Sequence, residues 1–231
     1  MALVDYIIED NVAILSMNAQ ENRFNLPFFE GMFETLDRIE KDTAANVLVT
    51  KSSDEKIWCN GIDLDWLIPV QQGGDYKLVN QFYTQMYSLF KRLLTYPMIT
   101  VAAITGHAFA GGAFLAFSHD FRFMRNDRGW LCLPEIDLKM TLGPALIGIA
   151  RRVLSEPDFE EMEYTGVRLT ARECERRHII RKACNLESLM PEVLAFSKKQ
   201  NKDREIVRQM KHQTHEQLLS IIDKTLSSLN E

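Results

Sequence analysis

Cysteine is scarce in this chain. The four cysteines among its 231 residues, Cys59, Cys132, Cys174 and Cys184, are scattered and form no Cys-x-x-Cys pair. That spacing argues against a zinc site built on paired cysteines and against a disulfide framework. We therefore expect no metal site, and we expect the chain to fold in a reducing compartment.

Long apolar runs and an excess of positive charge are also missing. No run reaches the roughly 18 uninterrupted apolar residues of a membrane span. The first residues do not resemble a secretory signal, and the last three, Leu229, Asn230 and Glu231, are not a peroxisomal address. Because 27 Lys and Arg stand against 32 Asp and Glu, no overall positive field favours nucleic acid. We expect a cytoplasmic protein with neither a membrane nor a nucleic-acid partner.

The composition that remains is that of an ordinary globular protein, with 46% apolar and 26% charged residues. The length favours one domain with a short appendage over two equal domains. Strand-like and helix-like segments alternate along the first two thirds of the chain, which predicts an α/β sheet with right-handed crossovers. The predicted strands are 6–9, 12–17, 47–50, 99–104, 121–124 and 130–133, the first two forming a hairpin.

Helical periodicity accounts for most of the other segments. Asn25 is predicted to cap a helix with Pro27 in its first turn, and Thr170 is predicted to cap another. The remaining predicted elements are helices at 77–94, 112–119, 186–199 and 203–229 and a brief strand at 179–180. From Leu146 onward the pattern is mostly helical, so the last part of the chain is predicted to be a helical appendage, of a kind that commonly sits on a neighbouring subunit.

Two glycine turns follow apolar, strand-like runs. The first is the segment 59–63, which contains Gly61, and the second is 106–112, which ends in Gly111 and Gly112. Glycine allows a turn to expose unpaired main-chain N–H groups, and two such groups that converge would hold a developing oxyanion. The alternative is that these glycines serve only tight turns and close packing.

A single acid, Glu135, lies in the segment Leu131 to Ile136 between apolar neighbours. Such surroundings raise the pKa of a carboxylic acid toward neutrality. An oxyanion site together with a base of this kind is the equipment for enolate chemistry. The alternative is a surface glutamate at the end of a strand, because glutamate is seldom buried without a partner.

These segments together resemble the crotonase family, the enoyl-CoA hydratases and isomerases. The resemblance extends from about Tyr6 to Ala183, and its order and spacing are more specific than any one motif. The segments that carry it are 22–25 (NRFN), 58–64 (WCNGIDL), 106–112 (GHAFAGG), 118–120 (SHD), 134–138 (PEIDL), 165–166 (TG) and 170–171 (TA). It implies a ββα spiral core at 1–170, a helical trimerisation region at 171–231, and trimers or dimers of trimers.

The resemblance also implies a coenzyme A thioester as substrate, with no separate cofactor. The main-chain N–H groups of Ile62 and Gly111 would form the oxyanion hole, and Glu135 would be the catalytic acid–base. Further substrate contacts are implied for residues around the two turns and the acyl pocket: Arg23, Asn60, Gly61, Phe109, Phe114 and Leu142. Lys56 and Lys211, the latter from a neighbouring subunit, are candidates for contacts with the coenzyme A phosphates.

One departure from the family decides the predicted reaction. Hydratases of this family usually carry two glutamates, and the position of the first is occupied here by Phe114. A phenyl ring neither accepts a proton nor orients a water, whereas one base suffices to move a proton from C2 to C4 of a 3-enoyl thioester. The chain therefore looks like a Δ3,Δ2-enoyl-CoA isomerase.

Two other classes stay open. One is a hydratase or carbon–carbon lyase that uses a different acid, with Asp65 and Asp137 as the nearby candidates. The other is a non-catalytic subunit that binds acyl-CoA or assembles with an active homologue.

Three further features of the sequence are expected to be structural. The segment 118–120 contains the residue types of a catalytic triad, Ser118, His119 and Asp120, but side chains that are adjacent in sequence rarely face one another. His212 and His215 are expected on a solvated helix face. The glycine usual for the family is replaced near His178, so the preceding helix must end in another way.

Overall fold

The computed structural model describes residues 2–229. Met1, Asn230 and Glu231 lie outside the described residues, and the expectation that the last three residues are not a peroxisomal address falls partly on them. Six strands form one sheet in the order β1-β2-β3-β5-β7-β9, antiparallel between β1 and β2 and parallel elsewhere. These strands are β1 Val4–Glu9, β2 Val12–Met17, β3 Val47–Ser52, β5 Ile99–Ile104, β7 Phe121–Arg125 and β9 Lys182–Cys184. The predicted α/β class and opening hairpin are confirmed.

Three shorter strands form a second, parallel sheet in the order β4-β6-β8. They are β4 Ile57–Cys59, β6 His107–Phe109 and β8 Leu131–Cys132. Along the chain the strands come in pairs, β3 with β4, β5 with β6 and β7 with β8. In each pair the first strand joins the large sheet and the second joins the small one. The chain thus winds through repeated turns, which is the spiral that the resemblance implies.

Ten helices surround the two sheets within residues 2–229. They are α1 Leu26–Asp42, α2 Leu64–Gln72, α3 Tyr76–Leu94, α4 Gly111–Phe117, α5 Pro144–Arg151, α6 Glu156–Thr165, α7 Ala171–Arg176, α8 Leu186–Ser197, α9 Arg204–Thr214 and α10 Glu216–Leu229. The predicted caps are present, since the Asn25 side chain accepts from the Phe28 amide and Thr170 forms a capping box with Glu173. Within the described residues, no helix is both long and apolar enough to cross a membrane.

The large sheet is covered on both faces. Alternate residues of its parallel strands, among them Val12, Val47 and Val101, pack against Leu189 and Val193 of α8. The opposite face lies in the main core, beneath α1, α3 and α4. Since β9 pairs with β7 and α8 covers the sheet, part of the C-terminal region is integrated into the core. The boundary at residue 170 stays a prediction.

The strand predicted at 179–180 is wrong. Ile179 and Ile180 form a turn after α7, and both of their amides donate to the carbonyl of Cys174. His178 adopts the left-handed conformation, with φ 59°, that closes such a helix end. The two apolar side chains are buried at this turn, so their hydrophobicity reflects a helix end and not a strand. The strand of this region is β9, a few residues later.

The helix predicted over 203–229 is divided at His215 into α9 and α10. His215 is not on a solvated face: it is 9% exposed and accepts a hydrogen bond from Arg152. Burial lowers its pKa to about 4. Lys211 is also buried, with its Nζ 2.6 Å from Asp120 Oδ2 and 2.7 Å from the Met98 carbonyl oxygen. It is therefore not available for coenzyme A phosphates, and that candidate is wrong.

Lys211→Met tests the ion pair that joins α9 to the core. Removal of one partner leaves the Asp120 carboxylate, which is 16% exposed, with Arg152 at 3.5 Å as its remaining cation. We expect the free energy of unfolding, measured with urea at pH 7, to fall by about 3 kcal/mol. The control Lys202→Met changes an exposed lysine, and its loss should stay within about 0.5 kcal/mol. Equal losses in the two variants would contradict the interpretation.

Candidate active site

The small sheet brings three loops to one edge. Cys59 of β4 lies beside Ala108 of β6, and Phe109 of β6 lies beside Cys132 of β8. Because the strands are parallel, the residues that follow each strand emerge side by side at their carboxyl ends. Those residues are Ile62 after β4, Gly111 after β6 and Glu135 after β8.

The first glycine turn is fixed by an isolated parallel bridge to Phe24. The Phe24 amide donates to the Gly61 carbonyl at 2.6 Å, and the Asp63 amide donates to the Phe24 carbonyl at 3.1 Å. The bridge thus uses the Gly61 carbonyl and the Asp63 amide, on either side of Ile62, and makes no hydrogen bond with the Ile62 N–H. Gly61 adopts φ 72°, a conformation that side chains disfavour.

The second glycine turn contains a strained alanine. Ala110 has φ 50° and ψ −123°, and its carbonyl accepts from the amides of Ala113 and Phe114 at the start of α4. A non-glycine residue in such a conformation costs roughly 1–3 kcal/mol and is typical of functional sites. Gly111 is the first residue of α4, so its N–H has no partner inside the helix.

The two turns are in main-chain contact. A β-carbon placed on Gly61 would lie 2.6 Å from the Gly111 nitrogen, and one placed on Gly111 would lie 3.1 Å from the Gly61 α-carbon. Within residues 2–229, neither the Ile62 nor the Gly111 amide donates to another protein group. Two unused donors on adjoining turns are the arrangement that an oxyanion hole requires.

Glu135 lies on a tight turn after β8. The amide of Met140 donates to the Glu135 carbonyl at 2.9 Å, and Lys139 closes the turn with φ 56°. The Oε2 atom of Glu135 is buried and has no hydrogen-bond partner among the described residues. Burial raises the pKa of this carboxyl to about 7, and repulsion from Glu163 adds to the effect. The side chain is therefore suited to exchanging a proton near neutral pH.

A cavity of about 350 Å³ lies against these loops. All of the predicted site residues except Gly61 line it, namely Arg23, Asn60, Ile62, Phe109, Gly111, Phe114, Glu135 and Leu142. Gly61 lies directly behind, against Gly111. Their roles stay predictions, but the structure brings the predicted set to one place. Phe114 is 1% exposed and occupies the wall beside the second turn.

Arg23 and Asn60 share a carboxylate at the edge of the cavity. Glu21 accepts from Arg23 Nε at 2.7 Å and from Asn60 Nδ2 at 3.2 Å. Asp65 accepts from Arg23 Nη1 at 2.8 Å. A phosphate would compete with two carboxylates for Arg23, so this contact stays a prediction. Lys56 is exposed, and its phosphate contact is likewise still a prediction.

Sequence reasoning missed the wall that α3 and α5 contribute. Tyr83, Met86 and Tyr87 of α3 line the cavity, as does Leu146 of α5. Spacing of three and four residues placed the α3 residues on one helix face, but that pattern is equally typical of a buried core face.

The triad-like segment is structural, as expected. Ser118 Oγ donates to the Phe114 carbonyl at 2.8 Å. The two ring nitrogens of His119 are each 2.8 Å from a partner, the Leu115 carbonyl and Thr50 Oγ1. Burial lowers the pKa of His119 to about 4. Within residues 2–229, no group of three or more His, Cys, Asp and Glu side chains has the arrangement to hold a metal ion.

Comparison with known proteins identifies the relatives of this chain. The family model described as enoyl-CoA hydratase/isomerase matches residues 8–227. Enoyl-CoA delta isomerase 1, peroxisomal, of Arabidopsis thaliana is 31% identical over 70% of this chain and 67% of its own length. Enoyl-CoA delta isomerase 3 of the same plant is 35% identical over 58% of this chain and 60% of its own length, so the match covers less than two thirds of that relative.

The fold is also that of solved structures. A probable enoyl-CoA hydratase from Mycobacterium tuberculosis superimposes with a TM-score of 0.89 over 99% of this chain and 94% of its own, at 20% sequence identity. At that identity the likeness establishes the fold alone. The crotonase-like fold predicted from the sequence is therefore confirmed.

Glu135→Gln tests the burial of the acid without reference to activity. The pKa of Glu135 is raised from 4.5 to about 7 in the folded protein, so the folded state binds more protons than the unfolded state between these values. The contribution of the Glu135 carboxyl to the free energy of unfolding therefore falls as the pH rises through this window. We expect the variant to be about 3 kcal/mol more stable than wild type at pH 8 in urea unfolding.

The same comparison at pH 4.5 should show a difference of less than about 0.5 kcal/mol, because the carboxyl is then protonated in the folded state and about half protonated in the unfolded state. The control Glu160→Gln removes an exposed carboxyl and should give no such pH-dependent difference. A Glu135→Gln difference that is equal at the two pH values would contradict the assignment.

Proposed function

Because the chain belongs to the enoyl-CoA hydratase/isomerase family, we propose that it is an isomerase that moves the double bond of a 3-enoyl-CoA to the 2-position. The observation that carries the proposal is that Glu135, buried and unpartnered at Oε2, is the one carboxylate among the described residues that line the cavity. The relatives named enoyl-CoA delta isomerase support it.

The reaction needs two proton transfers and no other reactant. The ionised Glu135 carboxylate removes a proton from C2, and the electron pair of that C–H bond passes into a dienolate. The resulting carboxylic acid then returns the proton to C4, and the double bond forms between C2 and C3. The base is regenerated in its ionised form. A pKa near 7 suits both transfers, since the group must accept and then release the proton.

The dienolate places negative charge on the thioester oxygen. In the proposal, the free N–H groups of Ile62 and Gly111 receive this oxygen. Loss of one donor from such a site costs about 2.7–4 kcal/mol of transition-state stabilisation. The strained backbone at Ala110 and the main-chain contact between the turns hold the Gly111 donor in place before substrate arrives.

Phe114 favours isomerisation over hydration. Its ring lines the cavity where the resemblance expects the first of two glutamates. Together with Phe109 and Leu142 it gives an apolar wall, which excludes the water that would otherwise add to the conjugated product. The absence of a second carboxylate from the described cavity wall removes the partner that a hydratase would use to activate that water.

The two rival acids do not line the cavity. The Asp65 side chain is 89% exposed and pairs with Arg23. Asp137 is exposed, and its carboxylate lies near Gly166. Neither position favours a hydratase or a lyase. A non-catalytic acyl-CoA-binding subunit does not require an unpartnered acid beside two unused main-chain donors. Turnover of a 3-enoyl-CoA distinguishes this alternative directly from an isomerase.

The proposal extends to partners and surroundings. The substrate is an acyl-CoA thioester, no further cofactor is required, and the working form is a homotrimer or a dimer of trimers. The C-terminal region, residues 171–231, contributes to that assembly. A cytoplasmic location is part of the same proposal.

Glu135→Gln is the decisive activity test. Wild type should convert a 3-enoyl-CoA to the conjugated 2-enoyl-CoA, followed by ultraviolet absorbance. In the variant, kcat should fall about 10³-fold because the amide cannot accept the proton. Binding of saturated octanoyl-CoA, measured by titration calorimetry, should persist, and Glu160→Gln should resemble wild type in both assays.

Two outcomes would contradict the proposal. Hydration of a 2-enoyl-CoA at a useful rate by wild type would show that the argument from Phe114 is wrong. Binding of acyl-CoA without turnover of any 3-enoyl chain length would instead favour the non-catalytic subunit.

The pH dependence of kcat/KM gives an independent check. Since the base must be ionised to remove the C2 proton, we expect kcat/KM to rise with pH through a single ionisation near pH 7. The plateau should be reached by about one unit above that pKa. A profile that is flat between pH 5 and pH 9, or that falls across this range, would exclude Glu135 as the base.

A further inference from the structure

Tyr87 has a hydroxyl group that is not paired with any of residues 2–229. The residue lies on α3, lines the cavity and is 8% exposed. Its hydroxyl makes no hydrogen bond with another described residue. The side chain is buried but its hydroxyl is accessible from the cavity, so the partner that a tyrosine hydroxyl normally finds must here be a water or a ligand.

A second hydroxyl lies nearby. Tyr83, one helical turn earlier, also lines the cavity and also makes no hydrogen bond within residues 2–229. Burial raises the pKa of both phenols, and the proximity of Tyr83 adds to the effect at Tyr87. Both groups therefore stay protonated and act as donors at neutral pH.

The first turn of α5 adds main-chain donors at the same place. A β-carbon on Gly143 would lie 3.7 Å from the Tyr87 hydroxyl, and both residues line the cavity. Gly143 is the N-cap of the eight-residue helix α5 and has no side chain to accept from its first amides. The amides of Ala145 and Leu146 are left without partners in the described chain, at the positive end of the helix dipole.

From this juxtaposition we propose that Tyr87, Tyr83 and the first turn of α5 form a subsite for an oxygen acceptor on the acyl chain. The proposal rests on the proposed function and names its substrate class: a 3-enoyl-CoA whose chain carries a carbonyl or carboxylate oxygen beyond the reacting carbons. The helix amides can only donate, whereas the two protonated phenols can donate as well as accept, so an acceptor oxygen is the ligand atom that all of these groups can bind.

The same groups discriminate against a plain alkyl chain. An alkyl chain that displaces water from the subsite leaves buried donors unpaired, and sites built to hydrogen-bond a polar group reject analogues that lack it. Met86, Leu142 and Leu146, which line the same cavity, are apolar. The subsite thus adds a polar position next to apolar residues that would contact an acyl chain.

Binding of unreactive thioesters tests the subsite separately from catalysis. The ligands are octanoyl-CoA, 7-oxooctanoyl-CoA and octanedioyl-CoA, which share one chain length. The first has no oxygen near the chain end, the second has a ketone at C7 and the third has a carboxylate at C8. We expect titration calorimetry with wild type to give about 10-fold tighter binding for an oxygen-bearing ligand than for octanoyl-CoA. Preference for the ketone indicates a neutral acceptor, and preference for the diacid indicates a carboxylate.

Tyr87→Phe removes only the hydroxyl, and we expect it to reduce this preference about 10-fold. Tyr76→Phe is the matched control, because Tyr76 lies on the same helix, is 68% exposed and is not part of the cavity wall. Thermal unfolding of both variants checks that the fold is kept. The kcat/KM ratio for 7-oxo-3-octenoyl-CoA over 3-octenoyl-CoA should fall in Tyr87→Phe by the same factor.

The outcomes are separable. No preference in wild type, or a preference that Tyr87→Phe leaves intact or that Tyr76→Phe also abolishes, would overturn the subsite. If the preference holds while no 3-enoyl thioester is isomerised, the proposed function fails and the subsite stands. If 3-octenoyl-CoA is isomerised but wild type shows no preference for an oxygen-bearing ligand, the proposed function stands and the subsite fails.

Discussion

The site depends on the contact between two main-chain turns at the carboxyl ends of β4 and β6. Gly61 and Gly111 approach so closely that a β-carbon on either would meet backbone or ring atoms, and one on Gly112 would lie 2.1 Å from the Cys59 carbonyl oxygen. The shortest contacts at Gly61 and Gly112 are with main chain, which no rotamer change relieves, and the shortest at Gly111 is with the ring of the fully buried Phe24. The absence of three side chains is therefore what allows two unused N–H groups to share one wall of a cavity.

A strained, partly desolvated site of this kind needs rigid support, and α4 receives it at its far end. The helix begins at the Gly111 donor and ends at Phe117, and in the segment that follows His119 contacts Thr50 and Asp120 contacts Lys211. These buried polar contacts tie the helix to the large sheet and to α9. The segment 118–120, which has the residue types of a catalytic triad, thus fixes the position of the helix that presents the Gly111 donor. Burial of the unpartnered Glu135 carboxyl costs free energy, and a scaffold that cannot easily relax keeps the side chain in this position.

The sequence was informative where local chemistry decides the structure, and misleading where a distant partner does. Glycine turns, the Asn25 cap and the apolar strands follow from nearby residues, so the α/β class could be predicted from them, whereas the grouping of Ile62, Gly111 and Glu135 in one site was implied by the resemblance to the crotonase family. The burial of Lys211 could not, because a lysine in an amphipathic helix gives no sign of a carboxylate 91 positions earlier at Asp120. Tyr87 was missed for a related reason, since helical spacing does not distinguish a wall of a cavity from a wall of the core.

The groups proposed to react with the substrate and the groups proposed to select its acyl chain lie on different elements of this fold. The groups proposed to react lie on loops after the small sheet, where the register of β4, β6 and β8 fixes their mutual position. The groups proposed to select the chain lie on α3 and α5, which meet the cavity from outside that sheet. A scaffold arranged in this way can change its substrate through cavity-lining helix residues such as Tyr87 while the oxyanion site keeps its geometry, provided that Phe90 of α3 is kept, because its ring packs against Phe24, which holds the first turn.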